Sequence, residues 1–199
     1  MSDHDTSPNW PQLPSIVLCR SLVSAAGGGR PGACKTGPVT VTVVRISPSH
    51  SAFAAVAALF DDYRAHYGCA PSPQRTHDWL HAQVTRQAMM ITAALHSGRA
   101  CGFIAASVMP ASLALGTAWS IRDLYVAPAQ RRMGIARALL QQVIDDARQA
   151  GAQRVSLQTE PDNTPALTLY AAAGFQPVTG LELLSVDLAR DRQEPRGTL

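Results

Sequence analysis

Residues 123–140 limit the folds open to this chain more than any other segment. They read Asp123-Leu-Tyr-Val-Ala-Pro-Ala-Gln-Arg-Arg-Met-Gly-Ile-Ala-Arg-Ala-Leu-Leu140. An apolar, aromatic run suited to a strand stops at Pro128. A short basic loop follows, and a helix then opens on the small residues Gly134 and Ala136. A helix N-terminus carries unpaired N–H groups and the positive end of the helix dipole, which together favour phosphate oxygens. Small residues let a ligand approach the backbone closely. Arg131, Arg132 and Arg137 add charge-assisted donors on the same approach. Read alone, the same residues also fit a solvated arginine cluster beside an ordinary loop glycine.

Regular patterns surround this segment from Val39 onward. Val39–Ile46 alternates Val and Thr as a strand does, and Phe53, Val56, Ala57, Leu59, Phe60 and Tyr63 recur at helical spacing after Ser49 or Ser51. Pro71 and Pro73 break the chain before a second helix that holds Trp79, Leu80 and Val84 and runs to Gln87. Two β-runs, Met89–Leu95 and Ala100–Val108, flank the turn His96-Ser97-Gly98-Arg99. A third run, Trp119–Val126, precedes the basic loop. The helix Gly134–Ala150 should end at Gly151, a C′ glycine. A strand at Arg154–Thr159 leads to a helix Pro165–Ala173, with Thr164 as N-cap and Gly174 at C′. The last strand expected is Leu181–Leu188, before a polar tail at residues 189–199. The order β-α-α-β-β-β-α-β-α-β predicts one mixed α/β domain over residues 39–188.

Residues 1–38 differ from the rest. Pro8, Pro11, Pro14, Gly27-Gly28-Gly29 and Gly37-Pro38 punctuate them, so a disordered extension is expected. A secretory signal wants basic residues and then an unbroken apolar core, whereas here acidic residues come first and Arg20 interrupts the apolar patch. A natural translation start near Val39 is a further expectation, checked by mass spectrometry of the native N-terminus.

Composition excludes several classes. A net charge of +3 spread over 199 residues, with Lys35 the sole lysine, gives no nucleic-acid-binding stripe. No run approaches the roughly 18 apolar residues of a membrane helix. Cys19, Cys34, Cys69 and Cys101 show no ligand spacing, and the six histidines form no metal constellation, so no metal and a reducing cytoplasm are expected.

Arg131-x-x-Gly134-x-Ala136, between Leu-Tyr-Val and an amphipathic helix, resembles the acetyl-CoA signature of the GNAT acetyltransferase superfamily. Asn163-Thr-Pro-Ala166-x-x-Leu169-Tyr170-x-x-x-Gly174-Phe175 resembles its second half-motif, and the two occur in the family's order. The resemblance implies the GNAT fold, a split mixed sheet of about seven strands with helices on both faces. It implies acetyl-CoA as co-substrate and N-acetylation of a primary amine by direct attack in a ternary complex. A non-catalytic acyl-CoA-binding regulatory domain is the alternative, and a homodimer is an option because dimers are frequent in the family.

Site residues follow from the same resemblance. Backbone groups of Leu124 and Val126 would pair with pantetheine, and the loop and first helical turn (Arg131, Arg132, Met133, Gly134, Ile135, Ala136, Arg137) would hold the pyrophosphate. Asn163 would contact the cofactor arm, and Tyr170 would protonate the departing thiolate. Relatives often carry a Glu on the strand before the pantetheine pair, and spermidine/spermine acetyltransferases place one immediately before the aspartate. Here that position is Arg122, which leaves Asp123 as the strand's carboxylate, with Glu160 and Glu182 behind it. Leu59-Phe-Asp-Asp-Tyr-Arg-x-His66-Tyr67 resembles the polyamine- and histone-acetylating branch. The first two helices and the fourth strand should line the acceptor pocket, so Asp61, Asp62, Tyr63, His66, Tyr67 and Trp119 are the expected acceptor-binding residues. The expected acceptor is a small amine, polyamine or aminoglycoside-like molecule ahead of a protein amino group.

Overall fold

The computed structural model describes residues 41–186. The expected N-terminal extension, the first residues of the Val39–Ile46 run and the tail at 189–199 lie outside the described residues. Five strands form one sheet in the order β1-β2-β3-β4-β5: β1 Thr42–Ile46, β2 Met90–His96, β3 Arg99–Ala111, β4 Gly116–Val126 and β5 Arg154–Ser156. The first four are antiparallel and β5 runs parallel to β4, so the sheet is mixed. Helices α1 (Phe53–His66) and α2 (Pro73–Thr85) follow β1; α3 (Ile135–Gln149) and α4 (Thr164–Ala172) flank β5.

The β2–β3 connection is a two-residue turn in which Ser97 and Gly98 both have positive φ, +49° and +76°, the geometry that matches the twist of paired strands. Two buried clusters cover the two faces of the sheet. Ile135, Leu139, Leu140, Val143 and Ala147 of α3, with Ala166 and Tyr170 of α4, pack on Ile104, Ile121 and Leu124. Phe53, Val56, Leu59, Phe60 and Tyr63 of α1, with Leu80 of α2, pack on Ile91, Phe103 and Tyr125. The periodicity seen in the sequence therefore marks the buried stripe of α1 and α3, whereas of the residues expected in α2 Leu80 is buried and Trp79 is exposed.

Gly102 shows how closely α3 sits on the sheet. A Cβ there would lie 3.0 Å from the Tyr125 carbonyl oxygen, 3.1 Å from Ile135 Cγ2 and 3.2 Å from Leu139 Cδ1. Any larger residue would push the first turns of α3 back from the strand backbone by a few tenths of an ångström at this point.

Two expectations change. About seven strands were anticipated and five are present among the described residues. Residues 181–186 take no strand, and Leu181, Leu184 and Val186 are exposed there; 187–188 lie outside the described residues. The alternation at 181–188 satisfies local strand preference, but a strand also needs a neighbouring ladder. The strand expected at Arg154–Thr159 ends at Ser156, and this early end shapes the site.

Candidate active site

Pairing between β4 and β5 covers only Ala118↔Arg154, Trp119↔Val155 and Ser120↔Ser156. Strand β4 continues to Val126 with β3 on one side alone. The Ala127 N–H donates to the Cys101 carbonyl at 2.9 Å, toward β3. Backbone groups alternate sides along a strand, so those of Val126 and Leu124 face away from β3, into the gap that β5 leaves. The split gives the chain a length of unpaired sheet edge.

That edge opens into a cavity of about 570 Å³ lined by His66, Leu124, Tyr125, Val126, Gln130, Arg131, Arg132, Gly134–Arg137 and the α4 residues Pro165, Thr168, Leu169 and Ala172. Gly134 caps α3 with φ +80°, and a Cβ there would meet nothing within 4 Å, so its backbone fronts open space. The first intrahelical bond runs from the Ala138 N–H to the Gly134 carbonyl. The amides of Ile135, Ala136 and Arg137 therefore have no partner within the helix and present the positive dipole end. Arg132 and Arg137 are exposed beside them; Met133 is 41% exposed and does not line the cavity. Arg131 is turned inward: its Nε donates to the Val126 carbonyl at 3.1 Å, and its guanidinium lies 5.9 Å from the centroid of Tyr125.

A bulge in β4 decides which way its carboxylate points. Ala105 pairs with Asp123 and Ala106 with Ile121, leaving Arg122 as the extra residue. Strict alternation would put Trp119, Ile121, Asp123 and Tyr125 on one side. The bulge instead leaves Trp119 and Ile121 under α3 and turns Asp123 and Tyr125 toward α1. There the Tyr63 hydroxyl donates to Asp123 Oδ1 at 2.8 Å, in a setting of tilted and edge-on rings that includes Tyr67, Phe103 and Tyr125. Asp123 is 3% exposed, and burial pushes its carboxyl up to about 6 against the opposing effect of the Tyr63 bond. A carboxyl of that kind holds or releases a proton near neutral pH. His66 stands at the cavity wall; desolvation, and second the Arg131 charge, lower its pKa and leave the imidazole neutral at pH 7.

The structure thus brings Tyr63, His66, Tyr67 and Asp123 together, with Asp62 exposed on the same helix. Of these His66 lines the cavity, while Tyr63, Tyr67 and Asp123 pack beside its lining residues Tyr125 and His66; Asp61 and Trp119 lie elsewhere. Asp61 accepts from the Ser72 N–H at 2.9 Å, the Thr76 hydroxyl at 2.6 Å and Arg64 Nη1 at 2.7 Å, and so ties the start of α2 to α1. The Thr76 bond, opposed by burial, lowers its pKa. Removing this acceptor leaves three donors without it. Asp61→Ala should therefore destabilise the protein by about 2 kcal/mol, or roughly 4–8 °C in Tm; a thermal scan with Tm unchanged would contradict the structural role. Trp119 is 5% exposed and packs in the α3-side core, where the bulge leaves it.

The second half-motif builds α4. Asn163, not Thr164, caps α4: its Oδ1 accepts from the Ala166 N–H at 3.4 Å and its Nδ2 faces Thr159 Oγ1, also at 3.4 Å. Tyr170 is 3% exposed, in the same core cluster as Ile121 and Leu124 and edge-on to Phe175. It sits behind a cavity wall formed by its helix neighbours Thr168 and Leu169. Glu160 is half-buried and Glu182 exposed, neither at the cavity. Gly102 and the α4 wall were not anticipated from sequence. Only the spacing of Pro165, Thr168 and Ala172 on one helical face hinted at the latter. Among the described residues no three His, Cys, Asp or Glu side chains group as a metal site, and no helix is long and apolar enough to cross a membrane.

Known proteins are similar to this chain in sequence and fold. The family model described as "Acetyltransferase (GNAT) family" matches residues 54–175. An uncharacterized N-acetyltransferase of Bacillus subtilis (strain 168) is 33% identical over 127 residues, which cover 64% of this chain and 85% of that protein. Aminoglycoside N(6')-acetyltransferase type 1 of Klebsiella aerogenes is 28% identical over 112 residues, 55% of this chain and 74% of that protein. The crystal structure of a probable acetyltransferase superposes with a TM-score of 0.69 at 28% identity, covering 74% of this chain and 97% of that one. With the split sheet, the glycine-capped helix and more than half of its length matched, the chain belongs to the GNAT family of N-acetyltransferases.

Proposed function

We propose that the protein transfers an acetyl group from acetyl-CoA to a primary amine of a small molecule, by direct attack within a ternary complex. The observation that carries this reading is the unpaired edge of β4 at Leu124 and Val126, which runs into a cavity ending at the free amides of α3. A pantetheine arm carries amides that pair with such an edge, and its diphosphate suits the amides of Ile135–Arg137 together with Arg132 and Arg137. Bound acetyl-CoA supplies an activated thioester. The chain itself contributes position, which alone is a large share of the rate when both reactants are held in line.

Asp123, set by the bulge and held by Tyr63, is the group that takes the ammonium proton, directly or through water. The surrounding rings of Tyr63, Tyr67 and Tyr125, with the exposed carboxylate of Asp62, favour a cationic acceptor. The likeness to an aminoglycoside acetyltransferase supports a small amine, polyamine or aminoglycoside-like substrate over a protein amino group. The test is release of free thiol from acetyl-CoA with a panel of polyamines, aminoglycosides and peptide amines. Release with at least one small amine is the expected result; tight acetyl-CoA binding with no release from any amine would favour a non-catalytic regulatory role.

Tyr170 remains the candidate acid for the leaving thiolate. A thiol of pKa about 8.5 needs little help to leave, so Tyr170→Phe should lower turnover only about ten-fold with acetyl-CoA affinity unchanged. Equal turnover in the variant removes Tyr170 from that role.

A further inference from the structure

We propose that Arg131 closes the free edge of β4 and that the diphosphate of the donor opens it, which makes Arg131 a selector for coenzyme-A thioesters over thioesters lacking the diphosphate. The inference rests on the donor reading above. Leu124 and Val126 present two N–H groups and two carbonyls to the cavity, and one of the carbonyls, that of Val126, already accepts from Arg131 Nε at 3.1 Å. The guanidinium is also over the ring of Tyr125, at 5.9 Å from its centroid. Arg131 is half-buried in this position, while Arg132 and Arg137 on the same loop and helix are exposed. The backbone separates them: Arg131 is extended (φ −70°, ψ 159°), and Arg132 is left-handed at φ +68° and turns away.

Arg131 thus stands between two partners. Inward it has a neutral carbonyl. Outward, a diphosphate on the amides of Ile135–Arg137 would offer a bidentate, doubly charged acceptor to the same fork of donors, a stronger match than a carbonyl. Moving outward frees the Val126 carbonyl for a pantetheine N–H. A thioester without the diphosphate has to displace Arg131 and offers nothing in exchange. The diphosphate and pantetheine sites are therefore coupled through one side chain, and coupling of this kind is reciprocal.

Calorimetry with acetyl-pantetheine, which has no phosphate, and with acetyl-CoA tests this on the full chain. Arg131→Ala should bind acetyl-pantetheine about ten-fold more tightly than the wild type, the factor for an edge closed about nine-tenths of the time, and should bind acetyl-CoA more weakly. Arg131→Met, which keeps the apolar stem over Tyr125 but has no donor, should show the same gain. Saturating inorganic pyrophosphate should tighten acetyl-pantetheine binding to the wild type and leave the variants unchanged. Acetyl-pantetheine binding in both variants that is no tighter than in the wild type, or pyrophosphate that competes with it, overturns the proposal. If the wild type binds no acetyl-CoA, the donor reading itself has failed; if it binds acetyl-CoA and the variants show no gain, only the role of Arg131 has.

Discussion

Asp123→Asn is expected to lower turnover by about 100- to 10,000-fold, the usual contribution of a positioned proton acceptor, while acetyl-CoA affinity stays close to that of the wild type. Asparagine can still accept the Tyr63 hydroxyl bond, so packing is retained and the lost function is the proton. Two pH measurements separate this from a purely structural effect. In the wild type the rate should rise with pH through about 6, where Asp123 ionises, and this limb should vanish in the variant. Stability should move the other way. The native carboxyl titrates near 6 and the unfolded one near about 3.9, so between these values the native state binds the extra proton and wild-type stability falls as pH rises. The full effect is on the order of 3 kcal/mol for a carboxyl this buried, complete above about pH 6 and absent below about pH 4. Asp123→Asn should remove that slope; denaturant titrations at pH 4 and pH 8 showing the same difference for both proteins would mean Asp123 is not a buried, titrating acid.

The second large effect concerns the helix cap. Gly134 has φ +80° and fronts open cavity, so Gly134→Trp places an indole where the donor's diphosphate should lie. Acetyl-CoA affinity should drop by about 100-fold or more, equivalent to about 3 kcal/mol. The left-handed backbone adds about 1–2 kcal/mol of strain for any side chain, which lowers Tm by a few degrees and leaves the fold intact. Unchanged affinity by calorimetry, with circular dichroism showing a folded protein, would refute the loop assignment.

What could be read from the sequence, and what could not, divides along the range of the interactions. The Ser97-Gly98 turn and the glycines that end α3 and α4 at 151 and 174 are decided within a few residues, and the basic loop with its glycine cap is likewise local. The helix starts are less so, since Ala52 rather than Ser49 or Ser51 precedes α1 and Asn163 rather than Thr164 caps α4. The orientation of Asp123 is not. It depends on one extra residue, Arg122, in a register shared with β3, and no pattern within β4 reveals which residue bulges. Trp119, expected at the acceptor site as a fourth-strand residue, is left on the α3 side by the same bulge, on the face opposite Asp123. Asp61 was misread because its partners, Ser72 and Thr76, reach it only once α2 has docked on α1. The 181–188 run shows the converse: a good local strand pattern, with no ladder beside residues 181–186.

The missing side chain at residue 102 has a mechanical meaning. With Ile135 and Leu139 resting on strand backbone opposite Val126, the gap between the first turn of α3 and the end of β4 is set like a caliper, by contact between rigid elements. The connecting loop at 127–134 does not set that span. Substitutions in the loop can therefore retune charge and ligand preference while the spacing that a long, two-ended ligand must match stays constant. A methyl group added at residue 102 would open the caliper itself.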